Sequence, residues 1–190
     1  DAIAACGRAA ELDPLSSRIV DNYALMLILA GRFEEGLKQV ERALSLEPES
    51  RQATAWKVLA LAESGRFSEA MTEVERPHPF QAPAILAYAL ARAGRKAEAL
   101  GLLAKLGTEG VAVENRASVH AALRDWDACF ATLAPADINA NSVVHLFYSP
   151  IFDPVRTDLR FARLLATIGL TREHDKAQAW RTRHKDAEGR

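Results

Sequence analysis

The sequence predicts an all-α fold, an α-α superhelix of antiparallel helix hairpins stacked in series. Two observations predict it. The phrase Gly31-Arg32-Phe33-Glu34-Glu35-Gly36 returns 34 residues later as Gly65-Arg66-Phe67-Ser68-Glu69-Ala70, and again, weaker, as Gly94-Arg95-Lys96-Ala97-Glu98-Ala99. A fixed period of this size is one supersecondary unit stacked on copies of itself. Composition agrees: 49% of the 190 residues are apolar but only 7% aromatic, and alanine is abundant. That balance favours helices packed closely through small side chains.

The elements follow in chain order. Residues 1–13 place Ala2, Cys6 and Ala9 where Gly36, Val40 and Ala43 stand one unit later. They are therefore expected to form the second helix of a unit whose first helix is missing upstream. Leu12-Asp13-Pro14 and Leu46-Glu47-Pro48, also 34 residues apart, punctuate the units, because proline blocks helix continuation. Residues 17–30 carry Val20, Tyr23, Ala24, Leu27 and Ile28 at the spacing of an amphipathic helix. Gly31 ends that helix as a residue free to take positive φ. A second helix runs from Phe33 to Leu46, with Leu37, Val40, Ala43 and Leu44 on one face. Gly36 and Ala70 let the two helices of a hairpin approach closely, and Phe33 and Phe67 fill the gap beside them. The expected units are an incomplete repeat at 1–14, then 17–49, 50–76, 81–106 and 111–134.

Small residue, Gly-x-aromatic turn, alanine and proline at this spacing resemble the tetratricopeptide repeat, TPR, over residues 1–135. The resemblance implies a right-handed solenoid. Three departures stand out. Lys57 occupies a place where the family has a large apolar residue, with Val58, Leu59 and Ala62 available in a shifted register. The third unit, carrying Leu86, Ala87, Leu90, Gly94 and Ala99, is short, and Pro77-His78-Pro79 cuts the helix before it. The fourth has Ala117, Trp126 and Cys129, but Arg124 replaces the turn glycine.

Residues 136–170 are expected to cap the stack. Residues 138–148 read as a helix, Asp153 as the cap of a short turn starting at Pro154, and Asp158 as the cap of a longer helix. Leu159, Phe161, Leu164, Leu165 and Ile168 form the stripe of that helix, and Gly169 closes it. Phe152 and Phe161 plug the end of the stack, which would otherwise expose apolar surface. This stretch, with Phe152-Asp153-Pro154, Arg156, Asp158, Arg160-Phe161, Leu164-Leu165 and Gly169-Leu170, is similar to a terminal element of some bacterial TPR proteins. That resemblance implies an effector domain upstream, such as a winged-helix transcription regulator, a class III adenylate cyclase or a kinase. The charged tail, 171–190, holds Trp180 and is expected to be helical and packed back or onto a neighbouring chain.

The chemistry expected here is binding, not catalysis. No glycine-rich phosphate loop follows a strand pattern, and no Cys or His pair has metal-ligand spacing. No cofactor, metal site or catalytic residue is predicted. The five histidines, His78, His120, His145, His174 and His184, read as packed or surface residues, and the Glu34-Glu35 pair suits a helix N-terminus. Cys6 and Cys129 read as buried thiols, matching a reducing, cytoplasmic setting. A net charge of −1 disfavours direct nucleic-acid binding. No apolar run reaches the length of a membrane span, and no signal peptide is visible.

In TPR proteins the first helices of the units line a concave side. Aligned on the turn glycines, the predicted groove residues are Asp21, Asn22, Leu25 and Ile28, then Gln52, Trp56 and Leu59, then Gln81, Tyr88 and Arg92, and finally Glu114 and Ser118. Some family members grip a C-terminal carboxylate there with Lys and Asn. Asp21, Ala55 and Ala84 hold the equivalent places, so that clamp is absent. The groove suits a protein or peptide partner. Residues 1–13 and the C-terminal tail are candidate surfaces for homo-oligomerisation. Three functions stay open: a non-catalytic protein-interaction and regulatory domain of a larger bacterial signalling or transcription-regulatory protein; a stand-alone adaptor or scaffold; and a small-ligand sensor or enzyme-associated domain.

Overall fold

A computed structural model describes residues 2–76, 83–105, 113–134 and 150–184. The fold is all-α, and no strand occurs among the described residues. The helices are α1 (Ala2–Leu12), α2 (Ser17–Leu29), α3 (Phe33–Leu46), α4 (Arg51–Glu63), α5 (Phe67–Glu75), α6 (Pro83–Arg92), α7 (Lys96–Lys105), α8 (Val113–Ala122) and α9 (Trp126–Leu133). A 3-10 segment, Pro150–Val155, precedes α10 (Leu159–Thr167) and α11 (Thr171–His184). None of the described helices is long and apolar enough to cross a membrane.

Local chemistry sets the ends. The Ser16 and Ser50 hydroxyls accept from the backbone N–H groups of Ile19 and Ala53, each at 3.4 Å, and so start α2 and α4. Gly31, Gly65, Gly94 and Gly169 all take φ between 74° and 80°. Each lets the next residue donate back into the helix: Arg32 to the Leu27 carbonyl, Arg66 to Leu61, Arg95 to Leu90 and Leu170 to Leu165. Arg124 takes the same left-handed conformation at φ 58° without being glycine, and Asp125 donates to the His120 carbonyl in the same way. The fourth unit thus closes like the others despite its sequence. Asp125 also caps α9, accepting from Ala128 N–H at 3.1 Å.

The hairpins pack as the periodicity requires. A Cβ placed on Gly36 would lie 2.6 Å from Ile28 Cγ1, so α2 and α3 touch where there is no side chain. Ala70 and Ala99, at the equivalent places of α5 and α7, are fully buried. Pairs α2–α3, α4–α5, α6–α7 and α8–α9 form hairpins, and α2, α4, α6 and α8 also contact one another in sequence. The first helices therefore make a continuous row. At Lys57 an ion pair with Glu73 at 2.7 Å ties α4 to α5, while Val58 and Ala62 carry the buried face. Each of three turns carries a bidentate clasp, Arg32–Glu35, Arg66–Glu69 and Arg95–Glu98, with contacts of 2.6–2.7 Å. These are exposed, so each contributes little to stability.

The far end is closed by Phe152 and Phe161, both buried. The 3-10 segment packs on α8, and α10 packs on α9 and α11. Asp158 caps α10, accepting from Arg160 N–H at 2.8 Å. The tail helix folds back: His174 is buried with its ring 5.5 Å from that of Phe161, and Gln178 donates to the Arg156 carbonyl. Two expectations are corrected. The turn begins at Pro150 with Pro154 inside it, and the Asp153 carboxylate accepts from the buried Arg156 guanidinium at 2.6 Å. Leu159 is 72% exposed, since the first turn of α10 points it away from the stripe. The helix expected over 138–148 lies outside the described residues.

Candidate functional site

The turn residues Gly31, Gly65, Gly94 and Arg124 set a register for the first helices, with steps of 34, 29 and 30 residues. Four sets of equivalent positions result. One is Asp21, Ala55 and Ala84. The next is Asn22, Trp56, Ile85 and Asn115. A third is Leu25, Leu59, Tyr88 and Ser118. The fourth is Leu29, Glu63 and Arg92. In each helix these positions fall near i, i+1, i+4 and i+8, which is one face.

A cavity of about 60 Å³ opens on this face between α4, α6 and α8. Its whole lining comes from the first three sets: Ala55 and Ala84; Trp56, Ile85 and Asn115; Leu59, Tyr88 and Ser118. Of the predicted groove residues, Trp56, Leu59, Tyr88 and Ser118 are thus brought together. Asn22 and Gln52 are exposed and Leu25 is half-buried on the same row of helices. Ile28 is buried against Gly36, inside its own hairpin rather than on the open face. Gln81 and the side chain of Glu114 lie outside the description. Ile85 and Asn115 were missed by sequence reasoning, although the register that selected Asn22 and Trp56 selects them too.

The polar groups on this face are poorly satisfied. Among the described residues, buried side-chain atoms without a hydrogen-bond partner are Asp21 Oδ1, Trp56 Nε1, Glu63 Oε1, Tyr88 OH, Arg92 Nε, His120 Nδ1 and Gln39 Oε1. The first five belong to the four sets above. Native proteins rarely leave such groups unpaired, so their concentration on one face is informative. Tyr88 lines the cavity and is only 6% exposed, and its buried hydroxyl has no partner. Asp21 is only 7% exposed. Burial pushes its carboxyl up to about 6; the nearby Trp56 N–H opposes this and the Glu47 charge adds to it. That N–H falls short of hydrogen-bond geometry, which leaves Asp21 Oδ1 and Trp56 Nε1 both unsatisfied.

At the other end of the face Arg92 lies 3.6 Å from Glu63, a loose pair on two neighbouring helices. Burial raises the Glu63 carboxyl, against the Arg92 charge. His120 is half-buried, and burial lowers its pKa.

Nothing in the described residues assembles three or more metal-ligating side chains. Cys129 is buried and its thiol pushed up to about 12, chiefly by burial, so it is unreactive at neutral pH. Cys6 is half-buried rather than buried, and both cysteines are free thiols. The arrangement offers one apolar socket with polar groups at its edge, a geometry for holding a side chain. Comparison with protein-family models, curated proteins and solved structures found no match for this chain.

Proposed function

We propose that this chain is a non-catalytic protein-interaction and regulatory domain, a TPR-like stack whose first-helix face receives a peptide segment of a partner protein. One observation carries the reading. Side chains at equivalent positions of three successive units line a single socket, and the unsatisfied polar atoms gather on the same face. A cavity of about 60 Å³ suits one side chain, whereas small-molecule sites run to roughly 300–1,000 Å³. The terminal pattern from Phe152 to Leu170 supports placement in a larger bacterial signalling or transcription-regulatory protein, where partner capture bears on an effector domain. Two free cysteines and the lack of a membrane-spanning helix among the described residues fit a cytoplasmic setting.

A pull-down tests the groove. Leu59→Glu puts a charge on the socket wall, and Ala84→Leu fills the socket while keeping a good helix former. Both are expected to lose partners that the wild-type chain captures. Partners retained by both variants would place the binding surface elsewhere.

A further inference from the structure

We propose that the groove selects a peptide carrying a cationic side chain, Lys or Arg, which pairs with Asp21 while an aliphatic side chain of the same peptide fills the socket between Trp56, Leu59, Ile85 and Tyr88. The inference rests on the groove reading above and gives its occupant a chemistry.

The argument starts from Asp21. The residue is only 7% exposed on α2, and its buried Oδ1 has neither an ion pair nor a hydrogen bond. A buried charge without a partner is costly, and removing the charge would be the simple remedy if stability alone mattered. The charge felt at Asp21 is that of Glu47, another acid. What the site lacks is a cation. Asp21 belongs to the same set of positions as Ala55 and Ala84, both of which line the socket with little more than a methyl group. The positions that continue from Asp21 on α4 and α6 therefore raise no long side chain toward the socket. Trp56 joins the two subsites: its indole nitrogen approaches Asp21, and the residue also lines the socket. An aromatic ring beside a carboxylate suits the apolar stem and charged head of Lys or Arg. The socket itself is mostly apolar, with Asn115 and Ser118 as the polar residues of its lining besides Tyr88.

Geometry sets the spacing. Neighbouring helices lie about 8–10 Å apart, and an extended peptide advances about 3.3 Å per residue. A chain crossing from α2 to the socket therefore places its basic residue roughly three to five positions from its aliphatic one.

A phage-displayed library of random dodecapeptides, selected on the 190-residue chain, tests this directly. Enriched peptides are expected to carry Lys or Arg three to five residues from Leu, Ile, Val or Met. Asp21→Asn keeps the shape of the side chain and removes the charge. It is expected to weaken a selected peptide about tenfold and to leave unchanged the binding of the same peptide with its basic residue replaced by methionine. Selected peptides without a basic residue, or equal binding by Asp21→Asn and wild type, would overturn the cationic assignment. The groove would still stand in that case if Ala84→Leu and Leu59→Glu abolished binding. No enrichment at all, or binding untouched by both of those changes, would overturn the groove and this inference together.

Discussion

Asp21 is where the needs of folding and of binding diverge. Its carboxyl has an ordinary value of 3.8 and is raised to about 6 by burial. A group that holds its proton more tightly in the folded state adds stability that is complete below about pH 4 and is lost as the pH rises past 6. Wild type should therefore lose stability between pH 4 and pH 7 relative to Asp21→Asn, by at most about 3 kcal/mol at about 1.4 kcal/mol per unit of pKa, and by about 2 kcal/mol once partial screening by water is allowed for. Urea titrations of both proteins at several pH values measure this; parallel curves would show that Asp21 is not held out of water. The sequence placed Asp21 on the open face, but nothing in it revealed the burial. Ile28 shows the converse. The spacing put it on the apolar stripe and the turn register put it in the groove, and the close approach at Gly36 decides for the hairpin. Leu159 belongs to an apolar stripe by spacing and still faces out, although Phe161 in the same turn is fully buried.

At the scale of the element, the hairpin depends on how closely its helices approach. Gly36→Ala gains about 1 kcal/mol of helix propensity, yet its new Cβ would sit 2.6 Å from Ile28 Cγ1. Overpacking of that kind costs about 1–3 kcal/mol, so Gly36→Ala should be net destabilising by about 1 kcal/mol. Ile28→Ala removes the clashing atoms. The double variant should therefore cost less than the two single variants summed, a coupling that thermal unfolding of all four proteins reads. Additive costs would mean that the two residues do not meet. The elements themselves were legible in the sequence because their signals are local. Turn glycines, interrupting prolines and the Asp158 cap act within one turn of chain. Even Arg124 follows the pattern, since a fixed hairpin geometry imposes on it the left-handed backbone that glycine takes elsewhere.

Over the whole molecule, the main contacts run between helices one or two places apart in the chain. Stability in such an arrangement is close to a sum of neighbour interactions. Phe161→Ala, which empties a fully buried site beneath His174, should cost about 3–5 kcal/mol. Its damage should stay local: amide exchange should quicken in α8 to α11 and hold its wild-type pattern in α2 to α4. Uniform acceleration along the chain would show a single cooperative core instead. The sequence by itself determined the all-α class, the 34-residue spacing of the turn glycines, the boundaries of α2 and α3 and the burial of Phe152 and Phe161, since these follow from backbone freedom and the spacing of apolar residues along one helix. Only the tertiary structure decided that residues 29 and 30 positions apart would share one socket, that Asp21 would lose its water, and that Ile28 would be covered. Burial is fixed by what another helix brings across the gap, and one helix's sequence holds no record of its neighbour's distance.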